Sequence, residues 1–210
     1  MKEQTKISQA VIRRMPRYRR YLRDLQKKNI NKISSSQFSK LIGQTASQIR
    51  QDFNHFGGFG QQGYGYNVGE LHHEVSMILG LDKKYKMVVV GAGNLGHAII
   101  NYTNYSQTGF TVDGIFETNP KLIGTKVNDV EILDFAELEK YVSENKIDIG
   151  IICTSKESAQ SVADKLIVAG IKGIWNFAPV DLVASESVVL ENVHLSDSLY
   201  FLSYHISKRK

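Results

Sequence analysis

Gly91, Gly93 and Gly96 stand directly after the short apolar run Met87 to Val90 and directly before a helical pattern. A strand that feeds G-x-G-x-x-G into a helix suits a dinucleotide, because each glycine removes a different obstacle. Gly91 permits the tight turn, Gly93 lets the backbone approach a pyrophosphate, and Gly96 lets the helix lie close on its strand. Ala92, Asn94 and Leu95 complete the turn, and the pyrophosphate would rest on amide groups at the helix start, where the dipole favours negative charge. A second apolar run, Thr111 to Phe116, ends in Glu117, 26 residues after Gly91. The acid expected about 20 residues on accepts hydrogen bonds from the adenosine ribose hydroxyls. No arginine directly follows Glu117, and its charge would repel a 2′-phosphate, so NAD(H) is expected in preference to NADP(H). The alternative is a glycine-rich turn in some other α/β fold.

A second chemistry is cationic. Residues 1–86 carry sixteen Lys and Arg against six Asp and Glu, a local excess of +10, while residues 87–210 carry ten against fifteen, a local −5. A basic module joined to an acidic one suggests that the first binds a polyanion. Its cations include Arg13, Arg14, Arg17, Arg19, Arg20 and Arg23, which surround an apolar stripe of Tyr18, Tyr21, Leu22 and Leu25 at helical spacing. Arg13, Arg14 and Arg17 are the candidate phosphate contacts; a solvated face is the plainer reading. The same segment is expected as a short helix over Ser8 to Arg14, a break near Pro16, and a second helix that Pro16 opens.

The elements that must present these groups follow in order. Ser34-x-x-Gln37 is a capping box opening a short helix with Phe38, Leu41 and Ile42 apolar and Gly43 as its stop. Thr45-x-x-Gln48 is a second box, and its helix buries Ala46, Ile49, Phe53 and Phe56. Two capped helices across a glycine turn make a helix-turn-helix. Its second helix would present Gln44, Thr45, Ser47, Gln48, Arg50 and Gln51 to duplex DNA, since amides can bond adenine and arginine can bond guanine. The glycine-rich stretch Gly57 to Tyr66 reads as a β-hairpin wing, with Gln61 and Gln62 at its tip and Tyr64 beside them as further DNA contacts. Val68 to Leu79 closes the head as a helix. Its neighbours His72 and His73 lack metal-ligand spacing and read as surface residues.

Beyond the glycine turn, strands are expected at 87–90, 111–116, 130–133, 148–153 and 173–176, and helices at 94–104, 135–145 and 156–169. That alternation implies a mostly parallel sheet with right-handed crossovers. Two junctions face the ligand edge of such a sheet: Cys153-Thr154-Ser155 and Asn176-Phe177-Ala178-Pro179. Cys153 itself reads as a buried strand residue. After Pro179 only 31 residues remain, too few for a separate substrate domain. A short strand near Val188 to Leu190 and a helix from about Ser196 fill them. Leu199, Phe201, Leu202, Tyr204 and Ile206 cover too much of that helix for one partner surface, so a homodimer is expected. No apolar run reaches the roughly 18–20 residues of a membrane span, no secretory signal is expected at the polar N-terminus, and a cytoplasmic, metal-free protein fits.

Taken together, the runs Ala46-Ser-Gln-Ile-Arg50, Phe56-Gly57 with the glycine stretch through Tyr66-Asn-Val68, Val89-Val-Gly-Ala-Gly-Asn-Leu-Gly96, Gly170-Ile-Lys-Gly-Ile174 and Asn176-Phe-Ala-Pro-Val180 resemble the Rex family of bacterial redox-sensing transcriptional repressors. The resemblance covers nearly the whole chain. It implies a winged helix-turn-helix domain over 1–83 and a Rossmann NAD(H)-binding and dimerisation domain over 84–210, with a domain-swapped C-terminal helix. It also implies binding to palindromic operator DNA as a homodimer, released when NADH rises relative to NAD⁺, with no catalysis. By resemblance, Tyr102 falls where the family places a tyrosine near the nicotinamide. His194 falls where some members have an aspartate, Leu195 where some have a phenylalanine, and Glu117 where an aspartate is common. Two other classes stay open: a small NAD-dependent oxidoreductase with a basic helical appendage, whose proton donor would be Tyr102, His97 or His194, and a CoA- or nucleotide-binding interaction module.

Overall fold

The computed structural model describes residues 7–59, 64–102 and 108–209. The chain forms two compact units, one reaching to Lys83 and the other starting at Lys84.

The first unit is built on helix α1 (Gln9–Lys27), which runs unbroken through Pro16. The expected break is therefore absent. A proline inside a helix forfeits one hydrogen bond and crowds the preceding turn, at about 3 kcal/mol. Here Val11, Met15, Tyr18, Leu22 and Leu25 are buried along one stripe on both sides of Pro16, whose own ring faces out. Burying each large side chain contributes about 1.5–3 kcal/mol, so the continuous stripe outweighs the local penalty. Against α1 lie α2 (Ser35–Ile42), α3 (Ala46–Asn54) and α4 (Val68–Ile78). Their rings meet edge-on: Phe53 lies 5.4 Å from both Tyr18 and Tyr66 and 5.7 Å from Phe59.

Both expected caps form, but only one is reciprocal. Ser34 caps α2 and Gln37 reaches back to the Ser34 N–H, 2.9 Å. Thr45 accepts from the Gln48 N–H, 3.1 Å, while the Gln48 side chain turns inward to Asp52 instead. Of the stretch Gly57 to Tyr66 expected as a hairpin, residues 60–63 lie outside the described residues. The strand β2 (Tyr66–Asn67) pairs antiparallel with β1 (Lys32–Ile33), ahead of α2, so the sheet closes across the helical pair. Gln61 and Gln62 lie outside the described residues. His72 is half-buried, not a surface residue; burial, with Arg19 and Arg23 nearby, lowers its pKa.

The second unit is a seven-stranded sheet in the order β5-β6-β4-β3-β7-β8-β9. Its strands are β3 (Tyr85–Val90), β4 (Phe110–Glu117), β5 (Lys126–Val127), β6 (Val130–Asp134), β7 (Ile149–Ile152), β8 (Gly173–Asn176) and β9 (Val189–Asn192). All pairs are parallel except β5 with β6, a two-residue edge strand that periodicity does not reveal. Side chains of β3 alternate between two cores. Met87 and Val89 pack with Ile99, Ile100 and Ile115 on the side of α5 (Asn94–Ile100). Val88 and Val90 pack with residues of α6 (Leu138–Asn145) and α7 (Lys156–Val168) on the other. This is the period-two burial of a strand covered on both faces. α5 stops at Ile100, short of the expected 104, and a 3-10 turn over Phe135–Glu137 precedes α6. The last helix, α8 (Leu195–Ser207), has no buried residue.

Candidate functional site

The order of strands reverses at β3, which has β4 on one side and β7 on the other. Ligands of open α/β sheets bind beyond the carboxyl ends of the strands at such a point. There the Gly91 N–H donates to the Phe116 carbonyl and the Cys153 N–H to the Val90 carbonyl, both 2.8 Å, so three strand ends are locked side by side.

The glycine turn fills the notch. Gly91 has φ +100°, a region L side chains avoid, and a Cβ on it would lie 2.6 Å from the Cys153 carbonyl oxygen. A Cβ on Gly96 would collide with the Gly91 carbonyl oxygen, so α5 can fold back this tightly only on glycine. A Cβ on Gly93 would meet nothing within 4 Å. Its neighbourhood is open space, as close approach of a pyrophosphate to the backbone requires. Ala92 is buried, Asn94 exposed and Leu95 half-buried.

Beside the turn lies a cavity of about 380 Å³, lined by Gly91, Gly93, Glu117, Thr118, Phe135, Cys153, Thr154, Ser155, Ser158, Ser161 and Val162 among others. Glu117 closes one wall from the end of β4. Its Oε2 accepts from the Ala92 N–H, 2.8 Å, and its Oε1 accepts from the N–H groups of Thr118 and Asn119, 2.7 and 3.0 Å. Partial burial alone would raise the pKa of this carboxyl, but those amide groups outweigh it and hold it below the ordinary value. The acid is thus charged and fixed before any ligand arrives. Phe135, Ser158 and Ser161 were not legible as site residues, because nothing in their spacing says that the 3-10 turn and the first turns of α7 share a wall. Burial raises the Cys153 thiol pKa to about 12, so it is a poor nucleophile. It stands just past β7, not inside a strand.

The loop after β8 lies farther along the same edge. Phe177 is half-buried, Ala178 buried and Pro179 exposed, all in the loop after β8; the Phe177 ring lies tilted against Trp175, centroids 4.6 Å apart. Asn176 is fully buried, and its amide is bonded within the protein, to Val180, Asn192 and Ala178. Its side chain therefore holds the loop and does not face a ligand. Tyr102, after α5, is 55% exposed. His194 caps α8 and pairs with Asp181 at 2.9 Å, which raises its pKa.

The nucleic-acid candidates divide in the same way. Ser47, Arg50 and Gln51 stand exposed on α3, and Thr45 is exposed at its start; Arg13 and Arg17 are exposed on α1, and Tyr64 is exposed after the glycine stretch. Gln44 is half-buried. Arg50 donates to the Ser35 hydroxyl across the turn, 3.0 Å. Arg14 and Gln48 are drawn inward by Asp52, which is 0% exposed. Arg14 reaches it with two parallel bonds, 2.6 and 2.7 Å, joined by the Tyr18 hydroxyl at 2.6 Å and the Gln48 amide at 2.8 Å. Burial of Asp52 opposes its charge, yet these donors hold its pKa below the usual carboxylate value. That network sets the pitch of α3 against α1 and was not foreseen from the sequence. Among the described residues no group of acids, histidines and cysteines could hold a metal ion, and no helix is long and apolar enough to cross a membrane.

A helical head with a polar recognition face, followed by a doubly wound sheet with a dinucleotide notch, defines a class of ligand-responsive DNA-binding proteins. Comparison with known proteins narrows the class. Residues 6–54 match the family model described as "Putative DNA-binding protein N-terminus", and residues 82–180 match a CoA binding domain model. The chain is 56% identical over all its 210 residues to the redox-sensing transcriptional repressor Rex of Thermoanaerobacter pseudethanolicus, covering 94% of that protein. It is 57% identical over 208 residues to the Rex of Clostridium botulinum, covering 99% of each chain. A crystal structure of the Rex-family repressor RSP with β-NAD⁺ and operator DNA superposes with a TM-score of 0.92 at 56% identity, over 97% of this chain and 94% of that one. RSP with β-NADH gives 0.91 at 53% identity, over 97% and 96%. The chain belongs to the Rex family of redox-sensing transcriptional repressors.

Proposed function

We propose that this protein binds palindromic operator DNA as a homodimer and leaves it when NADH rises relative to NAD⁺. One combination carries the reading: an exposed polar face on α3 in a head whose residues 1–83 carry fourteen Lys and Arg against six Asp and Glu, net +8, and a notch open at Gly93 beside a pre-fixed Glu117 in the same chain. Glu117 would accept from the adenosine ribose hydroxyls. The turn from Gly91 to Gly96, with Thr154, would hold the pyrophosphate. Phe177, Ala178, Pro179, Tyr102 and His194 would border the nicotinamide, and Asn176 would act from behind that loop. Arg13, Arg17, Thr45, Ser47, Arg50, Gln51 and Tyr64 would meet DNA directly, with Gln44 at the edge and Arg14 and Gln48 setting the helix that carries them. The exposed apolar residues of α8 would form the seam between subunits, each helix lying against the partner.

The dinucleotide is a signal here and not a reactant. The relatives at 56–57% identity are named as transcriptional repressors, which supports a sensing role over the oxidoreductase reading. A repressor of this kind works in the cytoplasm. NADH must favour the DNA-incompetent state, because equal affinity for both states shifts nothing. Reciprocity then requires operator DNA to weaken NADH binding by the same factor. Fluorescence anisotropy on a promoter fragment, with NAD⁺ and NADH added separately, tests this. NADH should lower operator affinity while NAD⁺ leaves it intact. Operator binding indifferent to both would refute the proposal, and turnover of NADH with simple aldehydes or ketones would favour the enzyme.

A further inference from the structure

β8 and β9 run parallel with Asn176 opposite Asn192 at their carboxyl ends. The Asn176 amide gives one hydrogen to the Val180 carbonyl, 2.7 Å, and the other to Asn192 Oδ1, 2.9 Å, and its oxygen accepts from the Ala178 N–H, 2.9 Å. Asn192 Oδ1 also accepts from the Leu182 N–H, 3.3 Å. The loop from 177 to 182 is thus tied at every second residue to two side chains, one of which ends the strand leading to α8. Both Asn176 donors are spent, and the group is fully buried, so each bond has to be made by protein. A second tie runs from Asp181 in the same loop to His194, the cap of α8.

We infer that Asn192 is a positioning residue that links the loop over 177–182 to the root of α8, and so carries the state of the ligand edge to the subunit seam. The inference rests on the proposed function, which puts the nicotinamide on that loop and α8 in the seam. The link has little slack. A displaced loop must either draw Asn192 along with it or leave buried amide groups unpaired, and the second is the unfavourable course. Asn192 needs only its acceptor oxygen for this, since both bonds to the loop and to Asn176 end on Oδ1.

The test uses the full chain. NADH binding is followed by energy transfer from Trp175, the one tryptophan, whose ring packs at a tilt against Phe177, the loop's first residue. Operator binding is followed by anisotropy, with and without saturating NADH. Asn192→Leu keeps bulk but has no acceptor; Asn192→Asp keeps the acceptor. The Leu variant is expected to lose about tenfold or more of the NADH effect on operator affinity, with each separate affinity within about threefold of the parent, and the Asp variant to restore it. Full coupling in Asn192→Leu overturns the inference and leaves the proposed function standing. A parent protein indifferent to NADH overturns the proposed function itself. Hydrogen exchange on the parent decides the matter even if the Leu variant misfolds. NADH should alter protection at Leu182 and across residues 193–200 together, and a change confined to the loop overturns the inference.

Discussion

Asp52→Ala removes the carboxylate on which the head's polar network converges. Deleting one member of a buried ion pair destabilises by about 3–5 kcal/mol. That range needs adjusting for this site. The Arg14 side chain is 25% exposed and can turn to water once its partner is gone. The Tyr18 hydroxyl is buried and has no such escape, and an orphaned buried donor costs about 1–3 kcal/mol. The expected loss is therefore about 2–4 kcal/mol, less than a fully enclosed pair would show. Trp175 lies in the other unit, so a tryptophan melt would not report it. Hydrogen exchange of α1 and α3 amides in the full chain does, and protection there should fall about 30- to 1,000-fold. Operator affinity should fall with it while NADH affinity holds. Asp52→Asn, which keeps an acceptor for Tyr18, should lose less. Unchanged protection in Asp52→Ala, or an Asn variant as damaged as the Ala one, would refute this account of what holds α3.

Four further outcomes follow from the geometry. Gly93→Ala should leave thermal stability within about 0.5 kcal/mol of the parent, since its Cβ meets no protein atom, yet weaken NADH by about tenfold or more by calorimetry. Glu117→Gln should weaken NADH by about 1.5–3 kcal/mol, the range of a hydrogen bond to a charged group, and narrow the preference over NADPH. His194, read by NMR, should titrate above its ordinary value and fall back toward it in Asp181→Asn. Because that pKa is raised, the charged pair is complete below the ordinary histidine value and is lost as pH rises through the raised one. For Asp52 the sign is opposite: its contribution is present above the ordinary aspartate value and is lost as pH falls through the depressed one, so protection of α1 and α3 should persist into more acid solution than an unpaired aspartate allows.

Much of the fold was legible because two periodicities and a few punctuating residues encode it. The strands at 87–90, 130–133 and 173–176 are short, mostly apolar runs between turns, and the structure extends them by at most two residues at an end. The failures share a cause. Pro16 marks a break only if local backbone preference decides, and a buried stripe crossing it shows that tertiary burial decided. The strand β2 finds β1 some thirty residues earlier in the chain, a pairing that no local signal around the glycine stretch could announce. β5 is two residues long, below any period.

The site was legible as a location and less so as a set of contacts. A glycine's reason for being glycine is backbone geometry, which spacing captures: Gly91 and Gly96 each meet a different backbone obstacle in three dimensions, while Gly93 faces open space. Polar side chains carry no such mark. Gln48, Arg14 and Asn176 have the composition of ligand contacts, yet each spends its hydrogen bonds within the protein. The reason is energetic: a surface that must hold a helix at one pitch, or a loop at one height, while offering polar groups to a ligand needs a second rank of polar groups behind the first. Asp52 in the head and the Asn176–Asn192 pair in the sheet unit are that second rank. A substitution at Asp52 should therefore weaken the one surface it holds up, whereas one at Asn192, which ties the loop to the strand before α8, should change how the two binding events answer one another more than it changes either contact.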